Sequence, residues 1–329
     1  MNGKTGGSVQ PLILQNVVKR FGAFDAVDDL SFTVNKGEIF GFLGPNGAGK
    51  TTTLRMILDI IPPTSGRIEV LGSASAIPVR RRIGYLPEER GLYRKMKAAE
   101  TIAYFAKLRG VPGKEARDRA QKLLEEFGLG EFARAKNESL SKGMAQKVQL
   151  LATIAHDPEF LILDEPFTGL DPINQATLEK LIADLRDEGR TIIFSTHTMQ
   201  HAERLCDRFL ILAKGNKRFE GTLDEARAKF PPKLIVRTRD PADGLRRAPG
   251  VVRIDALQTR AGEDPGYAVE LARGVDANVV LRAAFDAGMH LSRFENTNAS
   301  LHDIFVDLVG ADGETRGETS GAIETGEAA

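Results

Sequence analysis

The chain has 329 residues, 42% of them hydrophobic and 27% charged, which is ordinary for a globular protein and enough for a large core plus a smaller second unit. Lys plus Arg and Asp plus Glu number 45 each, so the overall charge gives no reason to expect a nucleic-acid partner. A single cysteine, Cys206, excludes an intramolecular disulfide and fits a reducing cytoplasm; no Cys/His cluster marks structural zinc, and charges or turn residues interrupt every apolar run before the roughly 18 residues of a membrane span.

In chain order, a flexible Gly/Ser-containing start over residues 1–10 gives way to LILQNVVKRFG, AVDDLSFTV and EIFGFLG, short strands separated by turns. A Gly-rich loop follows, then TTLRMILDII, whose helical apolar spacing stops at Pro62 and Pro63. GRIEVLG and RRIGYLP are further strands, and residues 98–128 carry two helical patterns split by Gly110, Pro112 and Gly113. FLILD and TIIFSTH are nearly continuous apolar runs suited to parallel strands buried on both faces, with a helical pattern in INQATLEKLIADLRDEG between them. FLILAKG closes this first domain, placed at residues 11–230. From about Pro231 the texture changes to the strands KLIVRTRD, VVRIDALQT and GYAVELA and the helices ANVVLRAAFDAG and SLHDIFVDLVG. These make a small α+β domain over residues 231–310, compatible with a ferredoxin-like arrangement. Residues 311–329 are Gly-rich, polar and mostly acidic, with too little apolar surface to offset their ordering entropy, and are expected to be disordered.

Two constellations carry chemistry. GPNGAGKT, formed by Gly44, Pro45, Asn46, Gly47, Ala48, Gly49, Lys50 and Thr51, satisfies G-x-x-x-x-G-K-[ST] between a strand and a helix. Its glycines let backbone N–H groups turn towards phosphate oxygens, Lys50 neutralises β/γ charge, and Thr51 can hold Mg²⁺, with Thr52 as a further phosphate contact. The second is LILDEP, four apolar residues ending in two carboxylates at a strand's C-terminal edge, where open α/β sheets place ligands. Asp164 is placed to hold Mg²⁺, and Glu165 to orient and deprotonate an attacking water.

With these motifs in place, residues from about Leu12 to Asp224 resemble the nucleotide-binding subunits of ABC transporters. ESLSKGMAQKVQL is similar to the family's signature loop and helix, LILDEPFTGLDP to its Walker B and D-loop, STH to its switch histidine and YLPE to its Q-loop. The end of the chain, SLHDIFVDLVG, is similar to the accessory domain of a drug, ion or lipid exporter-like branch that includes sodium-efflux subunits. The resemblance implies a P-loop ABC-type ATPase fold, α/β with antiparallel β and helical subdomains. It implies ATP and Mg²⁺ bound between two such subunits, expected to be a homodimer, with the phosphate loop of one facing Ser141 and Gly143 of the other. It also implies that Glu165 and His197 serve hydrolysis with Lys50, that Phe21 or nearby Phe24 stacks on adenine, and that Asp171 organises the dimer or the attacking water. A separate membrane-spanning permease would be the partner, which puts the chain in the cytoplasm on the inner face of the cell membrane; no nucleic acid is expected.

Two positions depart from the family pattern. Lys142 and Met144 occupy the third and fifth places of the LSGGQ signature, so the Gln amide is lost and Lys142 would add positive charge near phosphate. At the Q-loop, Glu88 puts an acceptor-only carboxylate where the family has an amide, leaving a contact to Mg²⁺ or water. Plainer readings stand beside the functional ones: Ser141 as a helix N-cap, Glu88 as a surface acid, Phe21 as core, Asp171 as a turn residue. Arg80, Arg81 and Arg82 are a solvated strand start or else a partner or nucleic-acid surface, and Cys206 is a packing residue. His197 and His201 share a helical metal-pair spacing but lack the glutamate of H-E-x-x-H, which argues against a metal. The competing function is a soluble ABC-class mechanical ATPase acting on ribosomes or nucleic acid. Such proteins carry two cassettes in one chain or a long coiled-coil interruption, and neither occurs here.

Overall fold

A computed structural model describes residues 10–89, 91–230, 233–259, 262–272, 274–297 and 299–310. The chain divides into two compact units between Thr222 and Leu223. In the first, β1 (Leu12–Phe21), β2 (Phe24–Val34) and β4 (Ser65–Val70) form an antiparallel sheet in the order β2-β1-β4. A six-stranded sheet collects β3 (Ile39–Leu43), β5 (Ile83–Leu86), β6 (Phe160–Asp164), β7 (Thr191–Thr196), β8 (Arg208–Ala213) and β9 (Asn216–Gly221) in the order β5-β6-β7-β3-β8-β9. Its pairs are parallel except β8 with β9. Every residue of β3, β6 and β7 is buried, as near-continuous apolar runs require when both faces of a strand are covered. Phe32 of β2 stacks on Phe40 and Phe42 of β3 with ring centroids 5.4 and 5.7 Å apart; truncating such a ring to alanine costs about 3–5 kcal/mol.

The parallel order points the C-terminal ends of β3, β6 and β7 to one rim. From that rim α1 (Lys50–Ile57) leaves β3 through the Gly-rich loop. It ends before Pro62 because Asp59 turns left-handed at φ 57°, and the Asp59 and Ile60 N–H groups close back on Met56 and Arg55 carbonyls, a hydrogen-bonded stop that uses up the last turn. The helical part comprises α2 (Ala98–Leu108), α3 (Gly113–Glu126) and α4 (Lys142–Ile154), with α2 and α3 broken apart at Gly110, φ 98°. α5 (Pro172–Asp187) and α6 (Met199–Leu205) follow β6 and β7. Among the described residues no helix is long and apolar enough to cross a membrane.

The second unit contains α7 (Leu223–Arg227), β10 (Lys233–Thr238), α8 (Asp243–Arg246), β11 (Val251–Leu257), β12 (Gly266–Leu271), α9 (Ala277–Asp286), β13 (Leu291–Thr297) and α10 (Leu301–Gly310). Its antiparallel sheet has the order β11-β12-β10-β13, and β10 to β13 follow the β-α-β-β-α-β sequence of ferredoxin-like units. Leu234, Val236, Val269 and Leu271 form its core with Leu245, Val280 and Ala284. The division falls earlier than the change of texture at Pro231 because α7 packs against α10, and Arg227 Nε donates to the Ala299 carbonyl at 3.2 Å. The expected flexible start, all but Gln10, and the expected acidic tail lie outside the described residues.

Candidate active site

At the rim, the loop from Gly44 to Lys50 fits its surroundings only through its glycines. A Cβ on Gly44 would lie 2.3 Å from the Leu212 carbonyl oxygen and one on Gly49 2.4 Å from that of Ala26, and Gly49 holds φ 104°. Gly49 caps α1 without any side-chain bond, so the first N–H groups of the helix point outward for an external acceptor and carry positive potential. Lys50 is 6% exposed; its Nζ donates to the carbonyls of Gly44 at 2.7 Å and Pro45 at 3.2 Å and lies 3.6 Å from Glu165 Oε1. Burial pulls its pKa below the ordinary lysine value, opposed by Glu165 and Asp164.

Asp164 is the last residue of β6. Ser195 on adjacent β7 donates to its Oδ1 at 2.5 Å, and the Thr51 hydroxyl stands 3.5 Å from the same oxygen. Oδ2 is buried with no partner. Burial holds the Asp164 carboxyl above the usual range, opposed by the bonds from Ser195 and Thr51. An orphaned carboxylate oxygen beside a hydroxyl is the donor set a hard cation such as Mg²⁺ takes, two protein oxygens with the remaining places filled by phosphate and water. Glu165 sits in a left-handed backbone conformation, φ 48°, unusual for a non-glycine residue and found at functional turns. Its N–H donates to Ser195 Oγ at 3.0 Å, and its Oε1 lies 3.0 Å from His197 Nδ1. Glu165 is 7% exposed and the His197 side chain 50%. Glu88, exposed beyond β5, acts on Lys50 through space and favours its charge.

Lys50, Thr51, Asp164, Glu165 and His197 are thus brought together. Gly143 and Asp171 both meet Asn174, and Ser141 stands at the start of the helix that carries Gly143. Ser141 is the N-cap of α4, accepting from Met144 N–H at 3.2 Å. A Cβ on Gly143 would meet Asn174 Nδ2 at 2.8 Å, and Asp171 caps α5 by accepting from the Asn174 N–H and side-chain amide at 2.9 and 2.6 Å. Those bonds lower the Asp171 pKa.

Phe21 and Phe24 are 50% and 63% exposed, which sets aside the core reading of Phe21; the Lys19 ammonium stands 4.9 Å over its ring. The metal-pair spacing of His197 and His201 is spent otherwise, since His201 pairs with Glu179 and not with His197. Among the described residues no group of three His, Cys, Asp or Glu converges on a metal position. Arg82 is bound to Glu159 through two nitrogens, at 2.6 and 2.9 Å. Cys206 packs where a Cβ on Gly41 would meet its Sγ at 2.6 Å, and burial raises its thiol pKa well above the ordinary value. Sequence reasoning gave no role to Ser195, whose signal was a hydroxyl inside an apolar strand, or to Gln146, whose Nε2 donates to the Pro166 carbonyl at 3.2 Å.

Strand, glycine loop, helix and paired acids on a neighbouring parallel strand define a phosphate-loop nucleotide-binding core. Comparison with known proteins narrows the class. The ABC transporter family model matches residues 27–168, and the model of the C-terminal domain of DrrA1-3-like ATP-binding proteins matches residues 221–309. The uncharacterized ABC transporter ATP-binding protein YhaQ of Bacillus subtilis (strain 168) is 39% identical over 91% of this chain and 99% of its own length. Nod factor export ATP-binding protein I of Burkholderia thailandensis is 37% identical over 92% of this chain and 98% of its own. A solved ATP-binding subunit of an ABC transporter superposes with a TM-score of 0.61 at 33% identity, covering 66% of this chain and 92% of that one. The chain belongs to the family of ABC transporter ATP-binding proteins.

Proposed function

We propose that this protein hydrolyses ATP with Mg²⁺ to drive a separate membrane-spanning permease, as an exporter subunit on the inner face of the membrane. The observation that carries the reading is the convergence of Lys50, Glu165, His197 and the unpartnered Asp164 Oδ2 on the glycine loop. Loop and helix N–H groups hold the β- and γ-phosphates, and Lys50 exchanges its bonds to the Gly44 and Pro45 carbonyls for phosphate oxygens. Thr51 and Asp164 would hold Mg²⁺, which would supply charge neutralisation for the phosphates. Glu165 accepts the proton of the attacking water as the water oxygen bonds to γ-phosphorus and the bond to the β-phosphate oxygen breaks, leaving ADP and phosphate. His197, bonded to Glu165 Oε1, keeps that carboxylate in orientation. Phe21 or Phe24 is left exposed for adenine, and Glu88 for the metal or its water.

Family membership supports a composite site in a dimer, with Ser141 and Gly143 meeting the γ-phosphate of the second subunit. Export is supported by the relative named for Nod factor export. For the permease, the helical part offers a cleft of about 280 Å³ lined by Tyr85, Pro87, Leu92, Phe105, Arg109 and His156. Burial drives the His156 pKa down to about 4, so the ring enters the cleft neutral, with Nε2 3.1 Å from the Ile83 carbonyl oxygen. The test is light scattering on Glu165→Gln with ATP and with the co-purified permease. The expected outcome is an ATP-dependent dimer that Ser141→Arg abolishes by placing bulk and charge in the phosphate site. An ATP-loaded Glu165→Gln protein that stays monomeric over a broad concentration range would overturn the composite site.

A further inference from the structure

His201, on α6, is 4% exposed and its surroundings are highly specified. Its ring stacks on Phe167 with centroids 4.0 Å apart and planes 15° from parallel. Phe167 follows Glu165 by two residues and meets Phe194 of β7 edge-on, centroids 5.8 Å apart. Between them, the Pro166 carbonyl accepts from Gln146 of α4, and the Glu165 N–H is held by Ser195 of β7. Three elements therefore grip residues 165–167: α4 through Gln146, β7 through Ser195 and Phe194, and α6 through the His201 ring. That ring is itself locked: Nδ1 lies 2.7 Å from Glu179 Oε1 on α5, and Arg204 Nη2 donates to the same oxygen at 2.6 Å.

A plain apolar side chain would fill the space beside Phe167 at less desolvation cost than an imidazole and a carboxylate. What the polar pair adds is a fixed ring plane, since the bond to Glu179 prevents rotation. Glu165 needs such support because its left-handed backbone, φ 48°, is a conformation that persists only where surrounding structure enforces it. We infer that His201 is a positioning residue for hydrolysis: clamped by Glu179 and Arg204, it holds Phe167 and so keeps Glu165 at the geometry required to activate water. The four-residue spacing of His197 and His201 then has one purpose, with the first histidine setting the Glu165 carboxylate and the second setting the backbone that carries it. This inference rests on the proposed role of Glu165 as the base.

The experiment measures single-turnover ATP hydrolysis, affinity for a fluorescent ATP analogue with Mg²⁺, and thermal midpoint. For His201→Ala the rate should fall about 10–100-fold, as losses of supporting-shell contacts do, while nucleotide affinity stays within about threefold. His201→Phe, which restores a stacking ring but not the bond to Glu179, should recover only part of the rate, falling between His201→Ala and the parent, and on a Phe167→Ala background His201→Ala should add less than about threefold, the non-additivity of one coupled unit. If His201→Ala fails to fold, His201→Gln, which keeps a bond to Glu179 without the ring, replaces it with the same expectations. An unchanged rate in the alanine or glutamine variant, a parent rate in His201→Phe, full additivity with Phe167→Ala, or a rate loss matched by affinity loss each overturns the clamp. Glu165→Gln separates the two readings: if it hydrolyses at the parent rate, Glu165 is not the base and the clamp falls with it. If only Glu165→Gln is slow, the clamp alone is wrong.

Discussion

The rim of the parallel sheet and the sheet of the second unit handle charge in opposite ways. At the rim, buried Lys50 stands 3.6 Å from buried Glu165, Asp164 keeps an oxygen with no partner, and Glu165 occupies a left-handed backbone. In the second unit the charges lie at the surface in local pairs, Arg293 with Glu295, Arg253 with Asp255 and Arg239 with Asp264. Its one unpartnered buried side-chain atom among the described residues is Arg237 Nε, on a guanidinium whose other nitrogens bond Asp264 and Glu263. The first arrangement stores unmet polar demand at a place open to a ligand. The second meets its polar demand within itself but for that one atom.

The largest test of that contrast is Glu165→Gln, which keeps the shape and removes the basicity. Turnover should fall about 10²–10⁴-fold with ATP affinity retained, and near-parent single-turnover hydrolysis by the folded variant would reassign the base. Next, a chain ending at Thr222 should keep nucleotide affinity within about threefold, because a unit with its own core folds without its neighbour, while dimer lifetime or coupled transport changes. A truncated protein that is folded yet no longer binds ATP would show that the second unit completes the site. The smallest effect is on stability. Because burial holds the Asp164 carboxyl above its ordinary value, keeping it ionised costs stability at neutral pH in the nucleotide-free protein. Asp164→Asn should therefore raise the thermal midpoint by about 2–4 °C, the shift that about 1 kcal/mol gives in a unit of this size, while Mg²⁺-dependent ATP binding weakens. The gain should be full above the raised pKa and vanish once the pH falls below the ordinary 3.8; a midpoint lowered at pH 7 would mean that Asp164 is structural.

The buried strands of the parallel sheet were legible because β3, β6 and β7 are apolar on both faces, and the glycine loop because its fixed residues sit between strand and helix. β9, with the sequence NKRFEG, and β13, with LSRFENT, were not: both lie at sheet edges, where few positions face a core and the alternation fades. The start of α7 was hidden for a similar reason, since one buried residue, Ala226, cannot mark a boundary. At the site, Lys50, Asp164 and Glu165 were singled out from local motifs and His197 from the resemblance, whereas Ser195, Gln146 and Glu179 come from elements distant in the chain. His201 carried a misleading local signal. Its spacing from His197 is that of a metal pair, and only the approach of α5 shows that Glu179 is its partner.

The electrostatics of the rim also shape what arrives there. Three carboxylates, Glu165, Asp164 and Glu88, act through space on the Lys50 ammonium, so acids stand beside the glycine loop and helix terminus at this rim. On the proposed reading, a bare nucleotide polyanion approaching that rim is repelled before any contact forms, whereas one carrying its divalent cation arrives with the charge the acids lack. The acids that serve the reaction therefore also act as a filter on encounter. Occupancy should follow the supply of free magnesium as closely as the supply of ATP, and the repulsion of the bare nucleotide should fade as added salt screens it.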